Sequence, residues 1–287
     1  MPLNRTKLPG YEHFQHFPDI DAGDPLIGPG DAPPYMTYND HGSTPVVLVA
    51  DHASPYFPAG MNQLGLADWV LEQHVSWDIG SDQLARHLAD ELDAQLVLAG
   101  FSRLIVDPNR QPDDPSAFPE ISDGIAIPGN IGIGAREKAL RIRCFFKPYH
   151  DAITDRINAF LARGIAPAVI AVHTCTPVFD RVVRPWHIGI MWDKDPRIPQ
   201  PLIEYFRQRE DICIGDNEPY SGSHPHDFTI DYHAEPGGLP HVGIEVRQDL
   251  VADDSGARQW AETLAQGLRG ILADAELYQP LEGAVLS

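Results

Sequence analysis

Positive charge is scarce in this chain. Its 287 residues hold 21 Lys and Arg against 41 Asp and Glu, a formal net charge of −20. Such an imbalance repels polyanions, which argues against nucleic acid and anionic membrane as main partners. Cysteine is scarce too: Cys144, Cys175 and Cys213 are odd in number and far apart. They form neither a CxxC pair nor a disulfide framework, so reduced thiols and a cytoplasmic setting are expected. No run of about 18 apolar residues exists, so no transmembrane helix is expected. The opening MPLNRTKLPG lacks the apolar core of a signal peptide. The zinc motif HExxH is also missing, as is HxxE. Any metal site must therefore be assembled from dispersed residues.

What is present is globular. Hydrophobic residues make up 43% of the chain, enough for one large domain or two small ones. Thirteen histidines are a high number. Residues 1–45 are rich in Pro, Gly and Asp, and read as an irregular N-terminal arm. Residues 46–287 read as a single catalytic domain. Its short apolar runs predict strands at 46–50, 96–99, 103–106, 168–173, 188–192 and 241–247. Helices are predicted at 79–94, 135–163, 200–210 and 257–275. Leu84, Leu88 and Leu92 share one face of the first, and Trp260, Leu264, Leu268 and Ile271 one face of the last. The helix at 135–163 is expected to bend near Pro148. Strands alternating with helices imply a three-layer α/β fold, a mixed sheet flanked by helices. Ligands in such folds bind beyond the carboxyl ends of strands.

Chemistry-bearing residues stand where predicted strands end. VVLVA runs into Asp51-His52, RLIV into Asp107-Pro108-Asn109-Arg110, AVIAV into His173, and VGI into Glu245-Val246-Arg247. His52 and His173 suit zinc, which takes imidazole nitrogen and carboxylate oxygen and keeps a position open in catalytic sites. Asp78, just before the 79–94 helix, reads either as the acidic ligand or as that helix's N-cap. His74 competes with it as ligand or as an outer partner. Glu245, mid-strand among apolar residues, reads as a general base or as the ion-pair partner of Arg247 on the same strand face. Arg247 in the cleft would hold an anionic group. Asn109, Arg110 and Arg103 form a second polar group suited to gripping carboxylates. His224, His226 and His233 lie in a polar loop, with His233 the one expected near the cleft. Cys175 reads as a buried, inert thiol, and the alternative is a thiol nucleophile beside His173. GNIGIG at 129–134 follows no strand and is not read as a phosphate cradle.

Taken together, VVLVADHAS, HVSWDIGSDQLARHLADELDA, SRLIVDPNR, AVHTCTP and GLPHVGIEVRQDL resemble the N-formylglutamate amidohydrolase family, from about Val46 to about Leu250. The resemblance implies a fold similar to zinc-dependent exopeptidases. It implies hydrolysis of N-formyl-L-glutamate to formate and L-glutamate, the last step of one histidine-degradation route. On that likeness His52, Asp78 and His173 match metal ligands for one zinc ion. Asn109 and Arg110 match a pair that grips the substrate carboxylate, and Glu245 matches the general base. Arg103, or the zinc itself, is expected to face the oxyanion. Two features depart from the pattern. Pro55 stands where related acylases have the Glu of His-x-x-Glu, and Thr174-Cys175 follows His173 where many members have Ser-Phe. The rivals are a zinc amidase for another N-acylated amino acid, a binding protein without activity, and a thiol hydrolase. Oligomeric state is not readable.

Overall fold

The computed structural model describes residues 26–223 and 228–281. The predicted residues His224 and His226 lie outside them. In chain order the strands are β1 (Tyr35–Tyr38), β2 (Val46–Ala50), β3 (Gln95–Ala99), β4 (Ile121–Ser122), β5 (Ile125–Ala126), β6 (Ala168–Cys175), β7 (Val178–Phe179), β8 (Val182–Val183), β9 (Ile188–Met191), β10 (Ile214–Asp216) and β11 (His241–Arg247). The α-helices are α1 (Asp68–Leu71), α2 (Ser81–Leu92), α3 (Ala135–Arg141), α4 (Lys147–Leu161), α5 (Pro199–Arg207), α6 (Thr229–His233) and α7 (Asp254–Leu272).

Seven strands form one sheet in the order β1-β3-β2-β6-β11-β9-β10. Its centre is parallel, while β1 on β3 and β9 on β11 run antiparallel. The central strands are continuous apolar runs because helices cover both faces. Alternate side chains choose the layer. Val46, Leu48, Ala50, Leu96 and Leu98 pack with Leu84, Leu88, Leu264 and Leu268 of α2 and α7 and with Leu202 and Phe206 of α5. Val47, Val49, Val97 and Val169 pack on the other face with Tyr149, Ile153, Ile157 and Phe160 of α4. A third cluster, built on Phe57, Phe101, Leu104, Ile105, Phe145 and Phe146, lies outside these two layers and includes the segment after β3. Among the described residues no helix is long and apolar enough to cross a membrane.

Two predicted elements differ. Residues 103–106 form turns and not a strand. Leu104, Ile105 and Val106 are buried, but inside the third cluster, where Ile105 N–H donates to Ser102 O and Asp107 N–H to Ala117 O. A short apolar run has the same pattern whether it is buried in a sheet or in a packed loop. Conversely, Tyr35–Tyr38, inside the segment read as irregular, is the sheet's edge strand. Proline stays out of its four residues and flanks them at Pro33 and Pro34. The bend expected at Pro148 is a π turn at Ile142–Phe146 between α3 and α4. There Lys147 N–H donates five residues back to Ile142 O, just before the residue that has no N–H to give.

Because Leu88 is fully buried between α2, α7 and the sheet, Leu88→Ala is expected to lower the unfolding free energy by about 2–5 kcal/mol. Urea denaturation reads this directly, and an unchanged midpoint would contradict the packing.

Candidate active site

The cleft opens at the carboxyl end of the central strands. β2 ends at Ala50, so Asp51 and His52 are the first residues beyond it. His173 and Glu245 face each other as register partners on β6 and β11. Asp78 reaches in from the segment before α2, its N–H bonded to the His52 carbonyl. The cap of α2 is Gly80, at φ 84°, with no side-chain capping bond. Asp78 is thus not the N-cap, because its carboxylate is committed elsewhere.

Asp78 Oδ2 sits 3.0 Å from His173 Nδ1 and 3.3 Å from His52 Nδ1. Donor atoms of His52, Asp78 and His173 all lie within 4.8 Å of one another, and all three residues are buried. The outer nitrogens meet two further buried carboxylates. His52 Nε2 donates to Asp107 Oδ1 at 2.8 Å. His173 Nε2 lies 3.1 Å from Asp51 Oδ2, close enough for an ion pair but off the line of a hydrogen bond. With Nε2 protonated toward a carboxylate, each ring turns the lone pair of Nδ1 inward, the arrangement common in metal-binding histidines. Two inward nitrogens and a carboxylate oxygen converging this closely form a donor set suited to a cation. A buried His-Asp-His triad of this kind can bind a metal ion. His74 stands apart, 3.2 Å from Asp123.

Opposed charges set the ionisation of these groups. Burial alone would raise the Asp78 and Asp107 carboxyls. The His52 and His173 imidazoles outweigh it at Asp78, and Arg103 and His52 outweigh it at Asp107, so both are held below the usual range. Burial would lower His173, but Asp51 and Asp78 hold it well above its ordinary value. Glu245 behaves differently. Burial pushes its carboxyl up to about 7, against the pull of His173 and with Asp78 adding to the rise. Among the described residues its Oε2 has no hydrogen-bond partner, and it does not pair with Arg247.

The remaining predicted residues divide. Asn109 lines the cleft, and its Oδ1 accepts the backbone N–H groups of Phe228 and Thr229 at 2.9 Å each. This anchors the start of α6, and among the described residues nothing accepts from the Asn109 amide NH2. Arg110 lines the cleft and donates to the Asn109 carbonyl. Arg103 also lines it, but Nε and Nη2 donate to Asp107 Oδ2 at 3.0 and 2.6 Å, while Nη1 lies 3.1 Å from His52 Nδ1 and 3.5 Å from Asp78 Oδ1. Two placements need correcting, since neither Arg247 nor His233 is among the lining residues. Arg247 is held outside by Asp249 and by the carbonyls of Arg184 and Pro185. His233 is fully buried with its Nε2 2.9 Å from His150 Nδ1.

Sequence reasoning assigned no role to Asp51 and Asp107. Asp51 Oδ1 accepts from Tyr149 Oη and Thr229 Oγ1 at 2.9 and 2.7 Å, and Asp107 Oδ1 accepts the Asn109 N–H. The available signal was their placement, one directly before His52 and the other four residues after Arg103.

Cys175 is 4% exposed, and burial together with Glu245 and Asp78 raises its thiol above the ordinary range. A neutral buried thiol is a poor nucleophile. Iodoacetamide at pH 8 is expected to label the exposed Cys213 and leave Cys175 unmodified by peptide mass mapping. Rapid labelling of Cys175 in folded protein would contradict this environment.

Comparisons with known proteins agree with the fold and point to a family. The family model described as N-formylglutamate amidohydrolase matches residues 44–252, more than half of the chain. The crystal structure of gene product Atu2144 from Agrobacterium tumefaciens superposes with a TM-score of 0.83 at 32% identity, covering 88% of this chain and 99% of that one. The N-formylglutamate amidohydrolase from Ralstonia eutropha JMP134 superposes with a TM-score of 0.57 at 20% identity, covering 83% and 95%. No curated protein matches the sequence significantly. By the extent of the family match, this chain belongs to the N-formylglutamate amidohydrolase family.

Proposed function

We propose that this chain is a zinc-dependent amidohydrolase. Its substrate is the N-formyl or N-acyl amide of an acidic amino acid such as N-formyl-L-glutamate, which it cleaves to formate and L-glutamate. The observation that carries the reading is the convergence of His52, Asp78 and His173, with the buried Glu245, whose Oε2 has no partner among the described residues, in register beside His173. His52, Asp78 and His173 hold the ion, which when bound supplies Lewis-acid polarisation of the acyl carbonyl and lowers the pKa of water.

The protein's own groups do the rest. Glu245 accepts a proton from the attacking water and delivers it to the amide nitrogen as the C–N bond breaks and a C–O bond forms. A carboxyl poised near 7 suits both halves of that transfer. The free Asn109 amide and Arg110 hold the substrate carboxylate, which orients the scissile bond. Asp51 and Asp107 fix the two imidazoles. Arg103, bonded to Asp107, holds that carboxylate in turn. A small anionic N-acyl amino acid, and not a nucleic acid or a membrane, is the partner we infer, in a cytoplasmic setting.

A second reading has one observation in its favour. The cleft encloses about 700 Å³ and carries apolar wall residues including Leu104, Ile121, Phe179 and Met191, more room than a formyl group needs. A zinc amidase for a larger N-acyl amino acid fits that volume. Turnover of N-formyl-, N-acetyl- and longer N-acyl-L-glutamates separates the readings: the first expects the highest kcat/KM on the formyl substrate, and a maximum on a longer acyl chain would favour the second.

Two variants test the mechanism. Glu245→Gln is expected to keep its metal and lose about 10²–10⁴-fold in rate. Near-wild-type activity would remove Glu245 from the reaction. His52→Ala and His173→Ala are each expected to lose zinc by elemental analysis of the purified protein. Full occupancy in either would contradict the ligand set.

A further inference from the structure

Two groups beside the cleft have no part in that mechanism. Arg184 is 7% exposed, and among the described residues no carboxylate pairs with it. Its Nη1 donates to the Thr176 carbonyl at 3.3 Å and its Nη2 to Tyr220 Oη at 2.9 Å. The guanidinium also lies over two rings, 4.9 Å from the centre of Phe179 and 4.7 Å from that of Tyr220. With no carboxylate bonded to it, this guanidinium is held by a carbonyl, a phenol and two aromatic faces, and its charge reaches the Glu245 carboxyl. Tyr220 lines the cleft. Because its oxygen accepts from Arg184, its own O–H proton must point elsewhere, and no described residue accepts it.

The loop that carries Tyr220 is built to one position. Asn217 N–H donates to Ile190 O at 2.8 Å, and its Oδ1 accepts from Trp192 N–H and Gly222 N–H at 2.9 and 3.0 Å. The Glu218 carbonyl passes so close to β9 and β10 that a Cβ on Gly189 or Gly215 would meet it at 2.1 or 2.4 Å. Only glycine allows that approach. Gly189 is the register partner of Glu245, so the clamp that seats the loop adjoins the candidate base. Burial and the Glu245 charge both raise the Tyr220 phenol above its ordinary value, so it remains a donor at neutral pH.

An acyl-transfer site needs a donor aimed where negative charge develops on the carbonyl oxygen. Arg103, the cation expected there, is bonded to Asp107 and faces His52 and Asp78. We propose that Tyr220 is a further catalytic residue, its hydroxyl donating a hydrogen bond to the substrate's acyl oxygen in the transition state. Arg184 is the positioning residue that turns the proton toward the substrate. This assignment rests on the amidohydrolase reading.

The test is steady-state kinetics on zinc-loaded protein with N-formyl-L-glutamate, N-acetyl-L-glutamate and N-acetyl-L-methionine. Wild-type turnover is read first, and absence of amide cleavage on every substrate overturns the hydrolase reading and this assignment with it. On the best substrate, Tyr220→Phe is expected to lose about 10²–10³-fold in kcat, with KM and zinc content near wild type and an unchanged melting curve. Arg184→Met is expected to lower kcat similarly, and Arg184→Lys to recover part of it, which a merely structural role would not produce. Wild-type turnover with an unchanged Tyr220→Phe kcat overturns the assignment alone. So does a raised KM at constant kcat, which would make Tyr220 a ground-state carboxylate grip. If Arg184→Met fails to fold, Tyr220→Phe, which removes one oxygen from a half-exposed side chain, still decides.

Discussion

The site is organised around a single carboxylate oxygen. Asp78 Oδ2 faces the inner nitrogens of His52 and His173 at 3.3 and 3.0 Å, and all three residues are buried at the floor of the cleft. Positive charge among the three groups stabilises such a convergence. The rest of the local structure follows from supplying and holding that charge. Asp51 and Asp107 face the outer nitrogens, Arg103 neutralises Asp107, and Tyr149 and Thr229 both donate to Asp51 Oδ1.

This arrangement also sets the two carboxyl classes apart. Asp78 and Asp107 lie against cations and are held ionised, whereas Glu245 lies one strand away with an unpartnered oxygen and is shifted upward. Groups pushed in opposite directions within one cleft are the usual sign of divided labour between ligand and acid–base roles. The family membership makes amide hydrolysis the chemistry to which that division is put, and the neighbouring Arg184–Tyr220 pair gives the cleft a neutral donor that its arginine at position 103 does not offer.

Much of this was legible in the sequence where a side chain's role follows from its own segment. The apolar runs of β2, β6 and β11, and the four-residue spacings of α2, α4 and α7, encode both element type and buried face. His52, His173 and Glu245 were visible because each stands at or near the end of such a run. The misreadings came where burial depends on distant partners. Leu104–Val106 looks like a strand but is packed in a loop by Phe57, Phe101 and Phe145. Arg247 shares a strand with Glu245, yet Asp249 holds it outside the cleft. Arg184 and Tyr220 are separated by 36 residues and meet only through the Asn217 loop, so no local pattern announces them.

As proposed, His52, Asp78 and His173 bind one catalytic ion together. Anomalous diffraction at the zinc edge from zinc-soaked crystals tests it most directly. The account predicts one strong peak within bonding distance of all three residues, beside Glu245. A peak seated on other residues, or none at full zinc exposure, would contradict it.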